Sequence, residues 1–98
     1  MDEAKPTLVF FTSRRSGPAR RMESLLAHLA RKERGRLVVR RVDVEEHPDL
    51  VARFRVEEVP TLVLIKYKRV VGRLEGRATA PRIEALLEPH LRATAGVA

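Results

Sequence analysis

The sequence predicts an α/β domain with the element order βαβαββα, in which a four-stranded mixed sheet has helices on both faces. Three observations lead to this fold class. Short apolar, β-branched segments alternate with segments of helical periodicity in the first half of the chain. Two strand-like segments near the end are joined by a tight turn at Tyr67-Lys68, which is typical of an antiparallel hairpin. The length of 98 residues is enough for one modest core, so we expect one domain over 1–98.

Hydrophobic periodicity and end signals place each element. The first helix begins after Ser16, whose hydroxyl can cap it ahead of Pro18, and it ends near Gly35. The last helix begins after Thr79 by the same signal. The first two strands are joined by a helix, so they should be parallel. The predicted strands are 7–12, 37–44, 61–66 and 70–75, the predicted helices are 17–34, 47–54 and 80–92, and 93–98 is predicted to be a frayed tail.

Composition excludes several kinds of chemistry. The chain has no cysteine, so it forms no disulfide, offers no thiolate to a metal and has no thiol nucleophile. Its three histidines, His28, His47 and His90, are far apart in sequence and show no ligand spacing. We therefore expect no metal and no cofactor.

The net charge and the length of the apolar runs bear on the kind of partner and on the location of the protein. The net charge is +7, which suits an acidic partner, but a solvated arginine-rich surface gives the same balance. On charge alone, nucleic acid is not the expected partner. The start of the chain is charged and its apolar runs are too short to cross a bilayer. These features predict no membrane contact and a cytoplasmic location.

Two short motifs carry a family resemblance. Ser16-Gly17-Pro18-Ala19 stands at the start of the first helix, and Val59-Pro60-Thr61 precedes the third strand. Both motifs, in this order of elements, resemble the thioredoxin family, and the resemblance covers about residues 7–92. It implies a thioredoxin-like fold in which Pro60 is cis and faces the first motif. In that family the backbone of the residue before the cis-proline pairs with an extended substrate segment, which would assign this role to Val59.

The redox residues of the family are replaced here. The resemblance places Ser16 and Ala19 at the positions of the two reactive cysteines. Phe10 stands at the position of the buried acid, and Thr12 and Arg15 stand at those of the flanking tryptophans. A serine hydroxyl at a helix N-terminus is not activated as a thiol is, because its pKa lies far above the working range. We therefore expect no enzyme of the disulfide oxidoreductase type.

The expected function is that of a redox-inactive binding module. Ser16–Ala19 and Val59–Thr61 would hold an extended segment of a partner protein, acidic segments included. The alternative is binding of an anion or nucleic acid through the arginines that flank the start of the first helix, Arg14, Arg15, Arg20 and Arg21. A thiol-ligand role for Ser16 is a third and weaker option, because its simplest role is that of an N-cap.

The resemblance also makes the second strand a sheet edge. The family usually has a further strand and helix before the point at which this chain begins, and six residues before Thr7 cannot form both. Arg40 and Arg41 on the exposed edge would guard it against pairing, or the edge would dock another chain. Arg41 lacks the family's acid as a partner, so we expect it to reach the surface or to pair with a nearby carboxylate. The oligomeric state is left open.

Overall fold

The predicted order of elements is confirmed by the computed structural model, which describes residues 5–95 and their side chains as far as Leu91. Apolar periodicity and the end signals give all seven elements in the expected order. The strands are β1 (Thr7–Thr12), β2 (Val38–Asp43), β3 (Thr61–Lys66) and β4 (Arg69–Glu75). The helices are α1 (Gly17–Lys32), α2 (Pro48–Arg53) and α3 (Ala80–Ala95).

The strands form one mixed sheet in the order β2-β1-β3-β4. β1 and β2 are parallel because α1 carries the chain back to the starting end of the sheet. β3 runs antiparallel to both of its neighbours, β1 and β4. β2 therefore lies at one edge, as the sequence predicted.

Two apolar clusters cover the two faces of the sheet. Alternate side chains of β1, such as Phe10 and Phe11, point to opposite faces. Phe10 lies in a cluster with Leu26 of α1 and Leu87 of α3, which pack on one face. Phe11 lies in the other cluster with Val63, against which α2 packs. Helices on both faces are thus confirmed.

Seven element ends differ from the prediction: both ends of β2 and of α2 lie one residue inside the predicted ranges, and one end each of β4, α1 and α3 differs as follows. β4 begins at Arg69 because Tyr67 and Lys68, at φ 54° and 64°, complete the turn in two residues and let Lys66 pair with Arg69. The end of α1 lies at Lys32, and Gly35 at φ 88° follows it in the connection. α3 continues through Ala95, so 93–95 are helical where a frayed tail was expected, and 96–98 lie outside the described residues. No helix among residues 5–95 is long and apolar enough to cross a membrane.

Candidate functional site

The end of β1 and the start of α1 are joined by a turn that seryl side chains organise. The Ser13 carbonyl accepts the Ser16 N–H at 3.1 Å, and the buried Ser13 hydroxyl accepts the Arg15 N–H at 3.1 Å. The same hydroxyl donates to Glu45 Oε2 at 2.6 Å. These bonds fix the loop so that Ser16 stands, in extended conformation, directly before the first turn of α1.

Ser16 caps α1, as its sequence context predicted. Its Oγ accepts the Ala19 N–H at 3.1 Å, and its carbonyl accepts the Arg20 N–H at 3.0 Å. Pro18 occupies the first turn, where its missing N–H would have had no helical acceptor. Ala19 is fully buried, whereas Gly17 and Pro18 are exposed. The four residues thus form a capped helix start with an exposed outer side.

The loop before β3 has the geometry that the resemblance implies. The Val59–Pro60 peptide bond is cis. Pro60 is fully buried, and its carbonyl accepts the Gly76 N–H at 2.8 Å. The hydroxyl of the buried Thr61 donates to the Glu58 carbonyl at 2.7 Å. Val59 is half-buried.

The two motifs meet at a single hydrogen bond. The Ser16 hydroxyl donates to the Val59 carbonyl at 3.4 Å while it accepts from Ala19. Its proton is therefore directed at a carbonyl and not at a base, which gives Ser16 a structural role. Among the described residues, none accepts a hydrogen bond from the Val59 N–H. We call the surface formed by Ser16–Ala19 and Val59–Thr61 the cap–loop surface.

The four arginines near the start of α1 do not form one cluster. Arg14 points toward the second strand's end, where its guanidinium lies 3.8 Å from Glu46. The Arg21 guanidinium folds back over Gly17, about 3.7 Å from where a Cβ would stand. Arg15 and Arg20 are exposed, and neither forms an ion pair with a described residue. Of the four guanidinium groups, that of Arg21 is therefore the one that lies over the motif.

The position of the family's buried acid is filled by an apolar side chain. Phe10 is 1% exposed and belongs to the core. Nearby, Arg41 pairs with Glu23 of α1 at 3.2 Å, which confirms the expected carboxylate partner. Thr12 also donates to Glu23, at 3.4 Å. Sequence reasoning did not single out Glu23, and its only signal was a carboxylate on the polar side of a helix otherwise rich in arginine.

A carboxylate pair at the end of β2 was also not predicted. Asp43 is buried, and its Oδ1 accepts the Glu45 N–H at 2.9 Å. The pKa of Asp43 is lowered from its ordinary value, first by a side-chain hydrogen bond with Glu45. The Glu45 N–H and the guanidinium groups of Arg14 and Arg41 lower this pKa further, whereas burial raises it. This network fixes the loop that carries Ser13 and does not reach the Ser16 hydroxyl.

A cavity lies away from the cap–loop surface. It has a volume of about 600 Å³ and lies between the end of α1 and α3, where Leu29 and Leu87 form its apolar floor. None of the site residues predicted from the sequence lines it. Among the described residues, no three metal-ligating side chains come together.

The fold, the capped helix start and the facing cis-proline loop define a thioredoxin-like α/β protein. The family model for thioredoxin matches residues 1–89. The chain belongs to the thioredoxin family, and it is a member without cysteine.

Relatives agree with this assignment, and a solved structure has the same fold. The chain is 34% identical over 88 residues to a thioredoxin of Alicyclobacillus acidocaldarius subsp. acidocaldarius, covering 90% of this chain and 84% of the relative. It is 34% identical over 89 residues to a thioredoxin-like protein of Synechocystis sp., covering 91% and 82%. It is 31% identical to the mitochondrial thioredoxin of Mus musculus, covering 85% of this chain but spanning only half of that relative. A solved structure described as that of a malarial protein has a TM-score of 0.81 at 21% identity, covering 89% of this chain and 98% of the other, which shows a shared fold.

Proposed function

We propose that this protein is a redox-inactive member of the thioredoxin family that holds an extended segment of a partner protein at the cap–loop surface. The observation that carries the proposal is the Val59 backbone. Its N–H is not bonded to a described residue, and it lies beside a capped helix start that is exposed at Gly17 and Pro18. An extended chain pairs through such backbone groups and needs no thiol.

The Ser16 hydroxyl bonds to the Val59 carbonyl but leaves it able to accept a second hydrogen bond. It occupies one acceptor position of the Val59 carbonyl, and a carbonyl oxygen has a second lone pair. A bound segment can therefore accept from the Val59 N–H and donate to the same carbonyl. Arg15 and Arg21 give the surface a positive rim, which favours a segment with carboxylates.

The absence of redox activity is tested by a disulfide reduction assay on insulin with dithiothreitol. We expect no turnover above the rate without protein, because neither motif position carries a thiol. The control is the double variant Ser16→Cys/Ala19→Cys, which restores the thiol pair at a helix N-terminus and should give measurable but slow reduction, since Phe10 still replaces the acid. Turnover by the natural chain would contradict this part of the proposal.

Binding is tested with ten-residue peptides selected from a random phage-displayed library against the whole chain. Selected peptides should shift the Val59 amide signal in NMR spectra and should be enriched in acidic residues. Arg15→Glu should weaken their binding about tenfold. The matched control is Arg34→Glu, an equal change of charge just beyond the other end of α1. Selected peptides that leave the Val59 amide unchanged would overturn the assignment of this surface.

A second candidate function is binding of an anion or nucleic acid at the same helix start. It is favoured by the Arg21 guanidinium, which lies over the first turn of α1, a turn without acidic residues. An oligonucleotide bound in this way should dissociate steeply as salt rises. Binding that is absent or insensitive to salt would remove this candidate.

The proposal includes a cytoplasmic location. Cell fractionation with an antibody against the chain is the direct test. Recovery of the chain in the soluble cytoplasmic fraction is the expected result, and recovery with membranes or in the medium would contradict it.

A further inference from the structure

The two edges of the sheet differ in regularity. β4 has a register shift opposite Leu64 and Ile65, so that Val71 is left between the pairs of Gly72 and Val70. Bulges of this kind disturb an edge and hinder the addition of another strand. β2 pairs with β1 without interruption from Val38 to Asp43. Of the two edges, β2 is therefore the one that presents a regular template.

Only alternate residues of β2 form backbone hydrogen bonds toward β1. Val38 and Val44 donate to β1-side carbonyls, at 3.0 Å each. Because alternate residues of a strand bond to the same side, Val39 and Arg41 direct their N–H and C=O groups away from β1. No strand lies beyond β2 among residues 5–95. The available edge ends at Asp43, whose carbonyl accepts the N–H groups of Glu46 and His47 in the following turn.

A groove adjoins this edge on the α1 face. Its volume is about 280 Å³, and its walls are mainly apolar, being formed by Phe10, Leu26, Ala27, Ala30 and Val39. Glu23 and Arg41 close one end as an ion pair at 3.2 Å. This volume suits one or two aliphatic side chains and is small for a ligand of drug size. A strand added at β2 would point every second side chain toward this groove.

The opposite face of the edge carries one exposed positive charge. Arg40 is exposed there, and it forms no ion pair with a described residue. A carboxylate on the added strand would lie beside it, whereas on the α1 face the charge of Arg41 is already balanced by Glu23 at 3.2 Å. The edge therefore favours a segment in which apolar side chains toward α1 alternate with acidic side chains toward Arg40.

We propose that the β2 edge binds, by strand addition, an extended partner segment of alternating apolar and acidic residues. A second copy of this chain is a poor occupant, because pairing two β2 edges would bring their Arg40 and Arg41 side chains together. This docking surface is separate from the cap–loop surface, since it uses Val39 and Arg41 and not Val59. It would give the protein a second place at which to hold a partner.

The probe is a ten-residue peptide of alternating valine and glutamate, with a peptide of alternating valine and lysine as control. The whole chain, labelled with ¹⁵N, should bind the glutamate peptide and not the lysine peptide at about 1 mM or below. Binding should slow exchange of the Val39 and Arg41 amide protons and leave that of Val59 unchanged. A response at Val59 alone would support the cap–loop surface and overturn the edge proposal.

Three variants test the charge and the backbone separately. Arg40→Glu should weaken binding of the glutamate peptide about tenfold and strengthen binding of the lysine peptide. Arg41→Pro removes an outward N–H that β1 does not use, and Arg41→Ala removes the same side chain but keeps that N–H. The proline variant should bind about tenfold more weakly than the alanine variant.

Several results would overturn the proposal. These are no saturable binding of the glutamate peptide by the natural chain, equal binding of both peptides, or equal affinity of the proline and alanine variants. If the proline variant does not fold, the amide exchange of the natural chain decides the question by itself. A concentration-dependent dimer that protects the Val39 and Arg41 amides without peptide would show a second copy to be the occupant.

Discussion

Ser16 connects the two halves of the cap–loop surface through one hydroxyl group. Its oxygen accepts from the helix at Ala19, and its proton is directed at the Val59 carbonyl. In the cysteine-containing members that the motif resembles, a thiol at this position does chemistry. Here the same position carries a hydroxyl that caps the helix start and bonds it to the loop.

Replacing Ser16 with alanine should therefore destabilise the fold. Loss of an N-cap costs about 1 kcal/mol, and the bond to Val59 adds a further fraction. Urea unfolding at neutral pH would measure the change, and Ser16→Thr, which keeps the hydroxyl, should remain within about 0.5 kcal/mol of the natural chain. An alanine variant as stable as the natural chain would show that neither hydrogen bond contributes.

At the scale of elements, the sequence predicted the features that depend on residues close together in the chain. The capped start of α1, the apolar run of β1 and the two-residue hairpin turn each depend on neighbouring residues, and each is confirmed. The contacts that complete the site are not local. Ser16 meets Val59 43 residues away, and Ser13 meets Glu45 32 residues away, so only the packed sheet brings them together. The left-handed turn residues Tyr67 and Lys68 also lacked the usual glycine or asparagine signal.

The contact of α3 with β4 depends on a glycine that the sequence alone did not mark. A Cβ at Gly72 would stand 2.5 Å from Leu86 Cδ1, so the Leu86 side chain would have to move. We expect Gly72→Ala to cost about 1 kcal/mol through overpacking. In a Leu86→Ala background the same change should be neutral or stabilising, because alanine suits a strand better than glycine. Equal effects in both backgrounds, measured by urea unfolding, would contradict this account of the close approach.

At the scale of the whole molecule, the net charge of +7 acts on a small body. The radius of gyration is 13.0 Å, whereas screening acts over about 30 Å at 0.01 M salt and about 8 Å at 0.15 M. At low salt every charge therefore interacts with the excess of positive charge, and the compact state is destabilised by self-repulsion. Exposed pairs such as Arg14–Glu46 and Lys32–Glu84 contribute little in return.

Added salt should thus stabilise the fold of this protein, whereas it should weaken the binding of the proposed acidic segments. We expect the melting temperature to rise by about 2–4 °C between about 10 mM and about 150 mM KCl, as half a kcal/mol of relieved repulsion would produce. The variant Arg15→Glu/Arg34→Glu changes the charge by two units at each site, from +7 to +3, and should lose most of this dependence. Calorimetry over a series of salt concentrations measures both. A melting temperature that falls with salt would show that the exposed ion pairs stabilise the fold by more than the repulsion destabilises it. The exposed arginines would then contribute to stability, and their excess would give no support to an acidic partner.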